Sequence, residues 1–174
     1  MKRILALVCA ATVAVALSAT TTAAAAVQSS SGDYCAVRVE PLASDAEPAT
    51  PVCFETQAEV DAYLATVTAP QRLARSAAAA SSTVLGTVYK DANYSGGSLS
   101  FYGTGSCSGV TFGFASVDAA WQNAISSAKA YAGCFVSLYS APSYGGSQLL
   151  CTPSCATLGA LNDRVLSLVF RPAS

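Results

Sequence analysis

The sequence predicts a small all-β domain assembled from two copies of one supersecondary unit, preceded by a small disulfide-clamped α+β segment. An internal repeat is the first sign: Tyr139-Ser-Ala-Pro-Ser-Tyr144-Gly-Gly146 reproduces the pattern of Tyr89-Lys-Asp-Ala-Asn-Tyr94-Ser-Gly96. In both copies a tyrosine is followed five residues later by a second tyrosine and then, after one spacer, by glycine. Apolar β-formers flank each copy, so each reads as a hairpin whose loop folds back over its own sheet, with the glycine taking a positive φ. The second sign is length and composition: 174 residues allow one ordinary domain with appendages, and alanine inflates the 52% hydrophobic fraction. The third is a set of six cysteines downstream of an apolar leader.

At the amino terminus, Met1-Lys-Arg3, the apolar run Ile4 to Leu17 and the small residues ending at Ala26 have the three regions of a secretory signal peptide. Residues 1–26 are therefore expected to be removed, with cleavage after Ala26. Val8 stands where a lipoprotein signal needs a small residue before Cys9, and no later run is long enough to span a membrane. The chain is expected to be secreted, soluble and monomeric.

Residues 27–67 read as an acidic accessory segment or propeptide. Tyr34 to Val39 alternates like a short strand, and Pro51-Val-Cys-Phe54 is a second extended piece. A helix follows, because Thr56 and Glu59 fit a capping box and Val60, Tyr63, Leu64 and Val67 recur on one face. That face needs cover from the cysteine-clamped strands or from the β-domain. Residues 68–82 form a linker whose Arg72, Arg75 and run of small residues suit either a protease-accessible site or an ordinary spacer.

Residues 83–174 form the β-domain, with strands expected near 84–90, 98–102, 109–114, 124–131, 134–140, 147–151 and 165–171 and a weaker one near 155–159. Trp121 is expected in the core or covering a sheet. Six cysteines in an oxidising compartment read as disulfides, and fifteen pairings exist. Proximity in sequence favours Cys35 with Cys53 and Cys151 with Cys155, which leaves Cys107 with Cys134. With no histidine, and spacings unlike paired zinc knuckles, a zinc site is disfavoured.

Charge divides the chain the same way. Residues 27–82 carry seven acids against three arginines, whereas the β-domain has only Asp91, Asp118 and Asp163 against Lys90, Lys129, Arg164 and Arg171. No basic stripe could release counterions from a nucleic-acid backbone. Catalysis is disfavoured as well: there is no histidine base, the cysteines are expected to be oxidised, and the three aspartates suit turns and loops better than a hydrolytic pair.

The pattern aromatic-x4-aromatic-x-Gly resembles the Greek-key motif of the βγ-crystallin superfamily, over roughly residues 83–172. The resemblance implies eight strands in two Greek keys forming a sandwich. Calcium-binding members carry a loop Asn/Asp-Asn/Asp-x-x-Ser/Thr-Ser before the last strand of each motif. Here Gln122-Asn123-Ala124-Ile125-Ser126-Ser127 and Asn162-Asp163-Arg164-Val165-Leu166-Ser167 are similar to it, with Gln122 and Leu166 as departures. Carried over, one Ca²⁺ site would use the Ala124 carbonyl, the Ser126 hydroxyl and the Asp163 carboxylate. A second, from the Arg164 carbonyl and Asn123, lacks an oxygen at Leu166 and is expected to be dead or very weak. One carboxylate places the first site near the weak end of the range, about 10⁻⁴ to 10⁻³ M. Ser127 and Ser167 read as structural ties between loop and hairpin.

Secreted metalloproteinase inhibitors of this superfamily imply an alternative. Their reactive bond sits beside a cysteine in a disulfide-closed loop of the second motif, which Cys151-Thr152-Pro153-Ser154-Cys155 resembles. This loop is one residue shorter, and Thr152 replaces the bulky apolar residue that thermolysin-like enzymes favour. A killer-toxin-like role on the same fold finds no specific residue here. The expected function is thus a non-enzymatic binding protein with calcium, and alternatively a secreted protease, as partner.

Overall fold

A computed structural model describes residues 32–44, 46, 49–69 and 82–173. The expected signal peptide and residues 70–81 of the linker lie outside the described residues.

Two repeated units organise the chain. In the first, β4 (Ser82–Asp91) pairs with β5 (Ser95–Thr104), followed by β6 (Phe112–Phe114) and β7 (Ser127–Ala130). In the second, β8 (Cys134–Ala141) pairs with β9 (Gly145–Cys151), followed by β10 (Ser154–Cys155) and β11 (Ser167–Pro172). Three strands of each unit share a sheet, and the short third strand crosses to the other: β10 pairs with β7, and β6 with β11. This exchange makes two interlocked Greek keys. The strand expected over 124–131 is confined to Ser127–Ala130, because residues 122–126 are held by loop contacts instead of a ladder, and the weaker one expected near 155–159 lies at Ser154–Cys155.

The accessory residues are woven into both sheets. β1 (Tyr34–Arg38) adds parallel to β5 and antiparallel to β3 (Val52–Phe54), while β2 (Glu40–Pro41) adds to β6. The first sheet therefore runs β10-β7-β4-β5-β1-β3 and the second β2-β6-β11-β8-β9. Alternation in β1 explains its place: Cys35 and Val37, followed by Val39, face the main core, and Ala36 faces the helix. A strand buried on both faces gains more from docking than an exposed flap would.

Helix α1 (Gln57–Val67) starts at Thr56, whose hydroxyl accepts from the Glu59 N–H while the Glu59 carboxylate accepts from the Thr56 N–H. Its Val60 and Leu64 pack on Ala36 and Tyr102, with Tyr34, Phe54, Tyr63, Val67 and Val84 around them. The predicted apolar face is thus covered by the sheet's outer surface. Between the sheets lies the larger core, where Phe101 meets Phe114 and Phe170 at ring separations of 5.5 and 5.3 Å, and Trp121 is buried.

The cysteines pair as Cys35–Cys53, Cys107–Cys134 and Cys151–Cys155. The first lies inside the accessory strands. The second ties the loop after β5 to the start of β8, and the third spans the crossing from one sheet to the other. The segment 32–67 is joined to the rest by the β1–β5 and β2–β6 ladders, by packing and by a Lys90–Asp33 ion pair at 2.5 Å, with no disulfide between the two parts among the described residues.

Candidate functional site

Each hairpin tip is built the same way. Asn93, Tyr94 and Gly96 have φ of 58, 63 and 74°, and Ser143, Tyr144 and Gly146 have 53, 63 and 76°. The second tyrosine of each tip meets the first edge-on, at 5.9 Å for Tyr89–Tyr94 and 6.1 Å for Tyr139–Tyr144. Glycine is required after it: at Gly96 a Cβ would strike the Asp91 side chain, and at Gly146 the Ser140 hydroxyl, besides the positive φ. Burial pushes the Tyr144 phenol up from its ordinary pKa, with Tyr139 beside it adding to the shift.

A serine locks each tip to the loop that follows. Ser127 Oγ donates to the Asp91 carbonyl at 2.6 Å and accepts from the Tyr94 N–H at 3.0 Å. Ser167 Oγ donates to the Ala141 carbonyl at 2.7 Å and accepts from the Tyr144 N–H at 3.0 Å. Both hydroxyls are fully buried, so each donor and acceptor they satisfy would otherwise be an orphan.

The two candidate metal loops face each other across the pseudo-twofold. Asn123 donates its N–H to the Val165 carbonyl at 3.5 Å, and Asp163 donates its N–H to the Ile125 carbonyl at 3.0 Å. Asn123 and Asp163 both hold left-handed backbone, φ 57 and 53°, which short polar side chains tolerate. Behind them, Ser126 and Leu166 donate their N–H groups to Tyr89 and Tyr139 at 2.9 and 2.8 Å.

Side chains break this symmetry. Ser126 Oγ donates to Asp163 Oδ1 at 3.0 Å, so the hydroxyl of one loop and the carboxylate of the other meet. Asn162 Nδ2 donates to the second carboxylate oxygen at 2.7 Å. Among the described residues no protein donor reaches the Ala124 carbonyl. On the opposite side Asn123 and Arg164 have only the Leu166 side chain where Ser126 stands in the first loop. Among the described residues no cluster of three His, Cys, Asp or Glu exists, so a metal here would rely on neutral oxygens and one carboxylate.

The disulfide loop has a different character. Cys151 is buried, whereas Thr152, Pro153 and Ser154 are exposed. Its backbone is already engaged: Ala130 donates its N–H to the Pro153 carbonyl at 2.8 Å, and Ser154 and Cys155 pair with Lys129 and Ala128. Sequence patterns missed a cleft beside α1, floored by the hydroxyls of Thr87 and Ser100.

No protein-family model matches the sequence, and no curated protein is significantly similar to it. Among solved structures, it is similar to the N-terminal domain of protein S, at 21% identity over 51% of this chain and 97% of that one, TM-score 0.40. It is also similar to a βγ-crystallin domain from Flavobacterium johnsoniae, at 24% identity over 52% of this chain and 97% of that one, TM-score 0.37. A βγ-crystallin domain from Clostridium beijerinckii matches at 22% identity over 50% of this chain and 97% of that one, TM-score 0.41. Likenesses of this size leave it to the loops themselves to say what the chain does.

Proposed function

We propose that this chain is a secreted, non-enzymatic βγ-crystallin-like protein that holds one Ca²⁺ weakly, through the Ala124 carbonyl, the Ser126 hydroxyl and the Asp163 carboxylate, and gains stability from it. The observation that carries this reading is the 3.0 Å approach of Ser126 Oγ and Asp163 Oδ1 across the two loops. Oxygens that share one Ca²⁺ at about 2.3–2.6 Å lie roughly this far apart. The Ala124 carbonyl is unclaimed by protein donors among the described residues. Three protein oxygens leave half or more of the usual coordination to water, in keeping with an affinity of about 10⁻⁴ to 10⁻³ M. The three disulfides and the absence of histidine support the extracellular and non-enzymatic parts of the reading.

The test is a thermal melt of residues 27–174, disulfides intact, in EGTA, in Ca²⁺ and in Mg²⁺. At about 10 mM Ca²⁺ such a site contributes roughly 1.4–2.7 kcal/mol, or about 3–10 °C in Tm. Ser126→Ala and Asp163→Ala should each abolish the shift and Asn123→Ala should leave it. No shift in the parent protein, or equal effects of all three substitutions, would reject the site.

The alternative is protease inhibition through the loop of Cys151, Thr152 and Pro153. Its exposed tip between clamped cysteines favours it. The engaged Pro153 carbonyl, and a proline without an N–H, leave little backbone to pair with an enzyme's cleft. Inhibition of a thermolysin-like enzyme by the intact protein, lost on substituting Thr152, would establish it over the calcium reading.

A further inference from the structure

The outer face of the first sheet carries a second, unrelated constellation. Register places Lys129, Thr87, Ser100 and Ala36 side by side across β7, β4, β5 and β1, with Tyr89, Ser98 and Tyr34 in the next row. Helix α1 covers only the Ala36 end of these rows. What it leaves is a cleft of about 570 Å³, floored by Thr87 and Ser100, walled on one side by Gln57 and Asp61, and on the other by Tyr89, Tyr94 and Tyr131. That volume suits a small-molecule site.

Its polar groups are held by one another. Thr87 Oγ1 and Ser100 Oγ lie 3.0 Å apart and are both buried. Only one proton of such a hydroxyl pair is used within it, so the floor can still give or accept a hydrogen bond. Ser98 Oγ donates to Gln57 Oε1 at 2.5 Å, and Gln57 Nε2 donates to Asp61 Oδ1 at 2.8 Å, which fixes the rim carboxylate. Burial and the neighbouring Tyr131 hydroxyl push the Tyr89 phenol above the ordinary tyrosine range.

We propose that this cleft binds a short neutral saccharide. A sugar ring offers an apolar face of C–H groups and a rim of hydroxyls, which match the Tyr89 and Tyr131 rings on one wall and fixed hydroxyl, amide and carboxylate groups on the floor and the other wall. An anionic ligand meets the Asp61 carboxylate on the rim, while the neighbouring Lys129 is held over the Tyr94 ring and does not line the cleft. A quaternary ammonium finds the Tyr94 ring already occupied by Lys129, whose Nζ lies 4.1 Å from its centroid, and that charge repels a second cation. A lipid chain would bury the floor hydroxyls unpaired.

The experiment is a tyrosine-fluorescence and calorimetric titration of the full chain with chito-, cello-, xylo- and malto-tetraose, and with choline as the cationic control, all in EGTA. The expected result is binding of at least one tetraose, weakened at least about tenfold in Tyr131→Ala and in Asp61→Ala. Both substituted residues are exposed, so both variants should keep the parent Tm. Binding of none of the four sugars, binding unchanged in both variants, or binding of choline alone would overturn the proposal.

Discussion

The two halves of the molecule share a frame and differ in what is hung on it. Residues 82–130 and 134–172 have the same hairpin tip, the same bulge between the paired tyrosine and the turn, and the same serine lock. Yet the β5 edge of the first half carries β1 and then β3, with α1 packed on the outer face, whereas β9, its counterpart, has no further strand beyond it among the described residues. The first half's loop presents a hydroxyl at Ser126 where the second presents Leu166. The repeated residues are those that hold the backbone in unusual conformations; the unrepeated ones decide what each half can bind or pair with.

Removing the cover should give the largest effect. Cys35, Val37 and Val39 are almost fully buried in the main core, and burying each such side chain contributes about 1.5–3 kcal/mol. A chain of residues 76–174 should therefore lose about 5 kcal/mol or more, enough to abolish a cooperative thermal transition in a protein of ordinary stability. By contrast, cutting the linker while leaving the segment in place should change the melt little. The fragment would stay bound without any covalent link, eluting with the β-domain in gel filtration. A truncated chain that melts like the parent would mean that β1 is an accessory after all.

The locks test the shared part of the frame. Ser127→Ala and Ser167→Ala each remove one donor and one acceptor from buried backbone groups, a loss of about 1–3 kcal/mol apiece. Because the bonds match, the two losses should agree to within about 0.5 kcal/mol in urea unfolding. A marked inequality would show that one tip is propped by something the other lacks.

Most of that frame was legible in the chain. The tyrosine and glycine spacing announced both hairpins, Thr56 and Glu59 announced the helix start, and cysteine spacing led to the three pairings found. Each is a local signal, in which the residue type and its conformation are separated by a few positions. The docking of β1 was not legible, because parallel pairing with β5 joins Tyr34 to Ser98 across 64 residues and leaves no periodic trace beyond alternation. For the same reason the acidic stretch read as an appendage. The cleft was hidden too, since Thr87 and Ser100 meet through sheet register while Asp61 comes from α1 and Tyr131 from the loop after β7. The calcium loops fall between these cases: their motif was visible, but the meeting of Ser126 with Asp163 depends on two loops forty residues apart exchanging backbone bonds.

The smallest effect is also the sharpest probe of the asymmetry. Leu166→Ser restores in the second loop the hydroxyl that Ser126 supplies in the first, opposite Asn123 as Ser126 is opposite Asp163. The backbone needs no change, because the Leu166 N–H already bonds Tyr139 as Ser126 bonds Tyr89. Two differences keep the new site weaker: its side chain from the facing loop is a neutral amide, and Arg164 brings a cation into the same turn. The variant should thus bind a second Ca²⁺ only at the upper end of the titration, adding less than the roughly 1.4–2.7 kcal/mol of the first. Calorimetry should move from one ion per chain toward two, and Arg164→Ala in the same background should strengthen the second. If Leu166→Ser binds no further ion even without Arg164, the single missing hydroxyl is not what separates the loops, and the carboxylate of Asp163 alone sets which of them can hold a cation.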